Sequence, residues 1–166
     1  DDTAEVCRRI AAEDRRIDVI EQAQRLGWSQ NANALLNLVD TEFYFIYFHD
    51  DIIEPTYAER LRRALRERPD ALSAHCDLVE FGLVNEVKPA HEYTGPAFRR
   101  LIDFMMTQRG TTLRSMIRRN AASNTIRFPK VYGDSHWVAY VFHMRLLAGG
   151  QALAVHEPLY RRWQRK

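Results

Sequence analysis

EFYFIYFHDD, running from Glu42 to Asp51, sets six consecutive apolar or aromatic residues, Phe43 to Phe48, directly before His49, Asp50 and Asp51. A run this short and this aromatic predicts a strand buried on both faces, in the middle of an α/β sheet. Two adjacent carboxylates cannot lie within its apolar interior, because an unpaired buried charge is very costly. Asp50 and Asp51 therefore belong where the strand leaves the sheet, at its carboxyl end. Open α/β sheets bind ligands at that edge. Hard oxygen donors there suit Mg²⁺ or Mn²⁺ holding a phosphate. The plain alternative is a strand followed by an acidic turn that caps the next helix.

Upstream, Asp1 to Ala12 reads as a helix caught at its start, with Asp2 as N-cap, Glu5 completing a capping box, and Val6 and Ile10, with Cys7 beside them, facing inward. Arg16 to Glu21 alternates like a short strand, with Ile17 and Val19 on one face. Gly27 punctuates. Ser29 then caps a helix whose apolar positions are Ala32, Leu35, Leu36 and Val39. Downstream, Pro55 opens a helix with Tyr57, Leu61 and Leu65 inward and an arginine-rich wet side; Pro69 closes it. Ala71 to Phe81 predicts a further strand.

The order α-β-α-β-α-β argues for a layered α/β domain, single over residues 1–166. Gly82 to Pro96 reads as a long loop, Phe98 to Met106 as a helix, and Thr112 to Arg119 as a second helical stretch. Thr125 to Phe128 is a short extended piece. Trp137 to Ala148 predicts an amphipathic helix and Ala152 to Val155 a last short strand. Glu157 to Lys166 is a basic tail.

Bulk properties narrow the function. A 166-residue chain with 46% hydrophobic and 28% charged residues is an ordinary globular domain. Its net charge of +2, from 24 basic and 22 acidic residues, gives no footprint for nucleic acid. Cys7 and Cys76 lack metal-ligand spacing and predict free thiols. No apolar run approaches the ~18 residues of a membrane span. The expectation is a cytoplasmic protein. Contact of its basic clusters with the inner face of a membrane, and self-association, stay open.

Three stretches in colinear order resemble glycosyltransferase family 2, the large inverting family with the GT-A fold. Asp1-Asp2-Thr3-Ala4-Glu5 is similar to the end of that family's acidic loop. TEFYFIYFHDDIIEPTYAERL resembles its strand, metal-binding acidic motif and following helix. YGDSHWVAYVFHMRLLAGG with EPLYRRW resembles its catalytic-aspartate helix and closing segment. The resemblance implies a three-layer α/β/α Rossmann-like fold with a mainly parallel mixed sheet. It also implies a nucleotide-sugar donor and a carbohydrate, lipid-linked or other hydroxyl acceptor.

By the same resemblance, Asp50 and Asp51 would hold Mg²⁺ or Mn²⁺ on the donor diphosphate, and Asp134 would be the general base. Trp137 and His136 would meet the acceptor, while Asp2, Trp28, Asn31, Asn33 and His49 would lie near the donor. The sequence departs from the family pattern at Phe48, where a D-x-D motif would place an aspartate, and at Gly133, where many members have Glu. The family's first strand, first helix and second strand would precede Asp1.

The chemistry is consistent with these residue types. A carboxylate at a helix N-terminus stays ionised, which suits a base. An ordinary N-cap is the competing reading of Asp134. A receiver-type phosphoryl-transfer domain would need a lysine at a later strand end, and Lys88 and Lys130 fall in loops. A non-catalytic sugar- or partner-binding domain of the same fold is the alternative from a different class.

Overall fold

The computed structural model describes residues 2–107, 113–130 and 137–164. Among these residues there are five α-helices: α1 (Thr3–Glu13), α2 (Trp28–Leu36), α3 (Tyr57–Glu67), α4 (Ala97–Thr107) and α5 (Trp137–Gly149). Six strands among the described residues form one sheet: β1 (Phe43–Phe45), β2 (Ile52–Ile53), β3 (Ala71–Gly82), β4 (Glu86–Lys88), β5 (Met116–Arg118) and β6 (Gln151–Gln164). Their order is β1-β5-β3-β6-β2, with β4 against the distal part of β3.

The sheet is mixed. β1, β3 and β6 run in one direction, yet only β3 and β6 are direct parallel neighbours, because β5 lies antiparallel between β1 and β3. α3 covers one face. Tyr57, Leu61 and Leu65 are fully buried there against Ala74, Cys76 and Leu78 of β3 and Leu153 of β6. The 4-residue spacing of those three side chains places them on one helical stripe. α2 and α5 cover the other face, where Leu36, Phe142 and Leu146 meet Leu72 and Ile117. α4 packs beside α5 through Phe104 and Leu147. The result is the three-layer α/β/α arrangement of the GT-A fold.

Several expectations are corrected. The aromatic run is a ladder only over Phe43–Phe45; it lies at the end of the sheet order, and its side chains are half-buried rather than central. Arg16 to Glu21 joins no strand, and Ile17 and Ile20 stay exposed. α1 buries none of its residues, so its apolar stripe has no inward face to fill. The segment expected to be helical before Arg119 instead contributes β5, whose backbone is claimed by ladders on both sides. Local helix preference yields when tertiary pairing satisfies the same backbone groups.

The basic tail is the largest correction. Gln151 to Gln164 is one long strand that follows β3 to its end, with an irregularity opposite Asp77 that accommodates Pro158. Proline is tolerated at such a bulge because no ladder N–H is required there. Gly82 closes β3 at φ +106°, with Trp163 filling the space a Cβ would need. α5 is apolar nearly all round rather than amphipathic. Its Val138, Phe142 and Leu146 face the sheet while Leu147 faces α4, so it is packed on two sides.

Candidate active site at the carboxyl end of the aromatic strand

Beyond Phe45 the chain leaves its ladder and turns. The Asp51 N–H donates to the Phe48 carbonyl at 3.1 Å, and the Tyr47 hydroxyl donates to the Asp51 carbonyl at 2.6 Å. This tight turn puts both aspartates past the strand end, as the burial argument required. It gives them different surroundings. Asp50 is half-buried, whereas the Asp51 side chain is 2% exposed.

Asp51 is held by a dense shell. Arg114 places Nε 3.0 Å and a terminal nitrogen 2.9 Å from Oδ2. The Tyr160 hydroxyl donates to the same oxygen at 2.8 Å. The guanidinium lies 5.2 Å from the Phe48 ring centroid and 5.3 Å from that of Tyr160, within cation–π range of both. The Tyr57 hydroxyl donates to the Arg114 carbonyl at 2.7 Å, tying α3 into the cluster. Burial, and then the hydrogen bond to Asp51, raises the pKa of the Tyr160 phenol; burial does the same to Tyr57. Both phenols are therefore neutral donors. The pair does not present two equivalent carboxylates to a metal, because one oxygen of Asp51 already takes an arginine and a tyrosine.

A groove of about 360 Å³ runs along the other side of this turn. Trp28, Asn31 and Leu35 of α2 form one wall, and Tyr44 to His49 form the other. It brings together three of the five residues expected near the donor: Trp28, Asn31 and His49. Its end at His49 adjoins Asp50 in the chain. The lining is mostly apolar with a few polar groups, the usual makeup of a small-molecule cleft.

Two donor-side expectations do not converge there. Asn33 points away, accepting from the Phe128 N–H at 2.8 Å and donating to the Phe128 carbonyl at 3.0 Å. It is a bracket between α2 and the Phe128 segment. Asp2 is exposed at the start of α1 and does not line the groove. Trp137, expected near an acceptor, opens α5 at 75% exposure. Asp134 and His136 lie outside the described residues.

Sequence reasoning missed Arg114, Tyr160 and Glu80. Glu80 on β3 is fully buried, with Arg162 of β6 on one oxygen and the Lys88 ammonium 2.7 Å from the other. The closing segment EPLYRRW contains Tyr160 and Arg162, so a signal for them existed. Arg114 opens a basic cluster, Arg114 to Arg119, whose pattern reads as a solvated face and does not single it out. The cysteines are free, and burial pushes the Cys76 thiol up to about 12. Among the described residues no three His, Cys, Asp or Glu side chains form a ready cation cage. A divalent ion on a nucleotide diphosphate needs only one or two protein carboxylates, since phosphate and water supply the rest. Asp50 fits that requirement. No helix among the described residues is long and apolar enough to cross a membrane.

The three-layer α/β/α arrangement with its mixed sheet is that of the GT-A class of fold. The family model described as glycosyl transferase family 2 matches residues 1–127, and the chain belongs to that family. The matched region ends before Asp134. No individual curated protein matches the chain.

Proposed function

We propose that this glycosyltransferase domain moves a sugar from a nucleotide-diphosphate donor to an acceptor hydroxyl with inversion at the anomeric carbon. What carries the reading is the groove of Trp28, Asn31 and His49, which ends at the residue before Asp50 in the chain. The groove receives the nucleotide: Trp28 offers an aromatic face, and Asn31 and His49 offer hydrogen-bonding groups. Asp50 would hold Mg²⁺ or Mn²⁺ against the donor diphosphate, where the ion neutralises charge developing on the departing nucleotide.

Asp134 takes the proton of the acceptor hydroxyl. The acceptor oxygen bonds to the anomeric carbon on the face opposite the diphosphate, and the bond from that carbon to the diphosphate oxygen breaks. Trp137, with His136, contacts the acceptor; an exposed indole suits stacking on a sugar ring. The acceptor is a carbohydrate, a lipid-linked glycan or another alcohol.

Calorimetric titration with uridine and thymidine diphosphate, with and without Mn²⁺, tests the donor side. Mn²⁺-dependent binding that disappears in Asp50→Ala is the expected result. A folded domain that binds neither nucleotide overturns the reading. Loss of transfer in Asp134→Asn with donor binding retained is the expected signature of the base. Unchanged transfer would remove Asp134 from that role.

A further inference from the structure

The two neighbouring aspartates divide their work, and the environment of Asp51 says how. Its side chain is almost wholly buried, and one oxygen accepts from Arg114 twice and from Tyr160 once. Arg114 is itself 11% exposed and lies between the rings of Phe48 and Tyr160. The cluster joins four parts of the chain that are distant in sequence: the turn after β1, the segment before β5, β6, and α3 through Tyr57. The backbone of Asp51 is fixed as well, by Phe48 and Tyr47. A carboxylate with this many bonds is committed. With Oδ2 taken and the side chain 2% exposed, Asp51 offers a cation no open approach, and a dication there would sit against the buried Arg114 guanidinium, a costly like-charge arrangement.

We infer that Asp51 is a positioning residue, locked by Arg114 and Tyr160, which fixes the turn that presents Asp50. Asp50 is then the carboxylate through which this edge meets a metal–diphosphate complex. This rests on the proposed donor-binding function, but the lock itself can be tested without it. It also accounts for the sequence HDD without an aspartate at position 48: one carboxylate faces the ligand, and the second anchors the loop.

The test is a double-variant cycle on the whole chain, read by thermal unfolding and by uridine and thymidine diphosphate titration with and without Mn²⁺. Asp51→Asn leaves the Arg114 charge uncompensated and lowers Tm on the order of 10 °C. Arg114→Met does the same from the other side. Asp51→Asn combined with Arg114→Met removes both charges and recovers most of that loss, since a buried pair can be replaced by neutral groups at little cost. In the double variant Mn²⁺-dependent affinity returns to within about 3-fold of the parent, the scatter of sites that do not couple. Asp50→Asn, which leaves the Asp51–Arg114–Tyr160 contacts in place, loses more than about 100-fold of Mn²⁺-dependent affinity, beyond what an indirect contact costs.

A folded double variant that loses Mn²⁺-dependent affinity as completely as Asp50→Asn overturns the assignment, because Asp51 would then be a ligand. Losses of Tm that simply add in the double variant overturn the lock. If the parent binds no nucleotide at all, the functional reading fails, and the thermal cycle still decides whether the pair anchors the turn.

Discussion

The two faces of the sheet bury polar groups in opposite ways. On the α3 side, Asp51 and Arg114 are kept charged, paired and hydrogen-bonded. On the α5 side, His75 of β3 and His143 of α5 are buried, and among the described residues neither ring has a hydrogen-bond partner of ordinary geometry. Aromatic neighbours surround them instead. The Tyr93 ring stacks 6.3 Å from that of His75, and Phe104 meets His143 edge-on at 5.4 Å. Burial lowers His75 to about 4 and His143 to about 3, so both are neutral at physiological pH. A buried charge needs a counter-charge or, like Arg100 beside α5, a shell of backbone carbonyls, whereas a histidine can leave its proton behind. The first solution is specific and links distant segments. The second makes folding dependent on pH.

The largest effect that distinguishes the two faces is removal of one partner of the charged pair. Arg114→Met strands Asp51 and costs about 3–5 kcal/mol of unfolding free energy by denaturant titration. A cost below about 1 kcal/mol would show that the charges are solvated and the contrast false.

The next effect lies on the histidine side. The unfolded chain protonates these rings near pH 6.5 while the folded chain resists to about pH 4, so the unfolded state binds more protons between those values. Stability is therefore full above pH 6.5 and falls as pH drops toward 4. His75 alone contributes a loss of roughly 3 kcal/mol. Equilibrium unfolding at pH 7.0, 6.0 and 5.0 reads that slope. His143→Leu shallows the slope, and at pH 7 it is neutral or slightly stabilising, because it removes two unpaired polar atoms.

Tyr160→Phe removes one hydrogen bond to a charged acceptor and leaves Arg114 in place. It costs about 1.5 kcal/mol and would sharpen how the lock is shared. Glu21→Gln marks the bottom of the scale. Its partner Arg8 and Glu21 itself are both more than half exposed, and the change stays within about 0.5 kcal/mol.

Much of the fold was legible because the helices write their burial into the chain. Tyr57, Leu61 and Leu65 recur at helical spacing and all three are buried, and β3 matches its expected span within one residue. The strand errors share one cause. β5 and the distal half of β6 have little pattern of their own; they are extended because β3 offers partners along its whole length. Likewise α1 and Ile17 showed apolar periodicity but found no surface to pack on. Of the site, the placement of Asp50 and Asp51 beyond a strand end was readable from the cost of burying charge. Their unequal roles were not. The guanidinium that separates them comes from residue 114, about sixty positions away, and no local pattern reports such a contact.

What the chain determined by itself is the layered α/β class, the family, and the rule that an acidic pair must sit where an aromatic strand stops. The family rests on colinear resemblance, and the other two follow from periodicity and desolvation, which act over a few neighbouring residues. Tertiary structure alone decided that Asp51 is enclosed while Asp50 stays half-open, that Asn33 serves Phe128 instead of the groove, and that the tail is a strand. Each of those outcomes depends on a partner brought from far along the chain, and such closure becomes definite only once the whole sheet has formed.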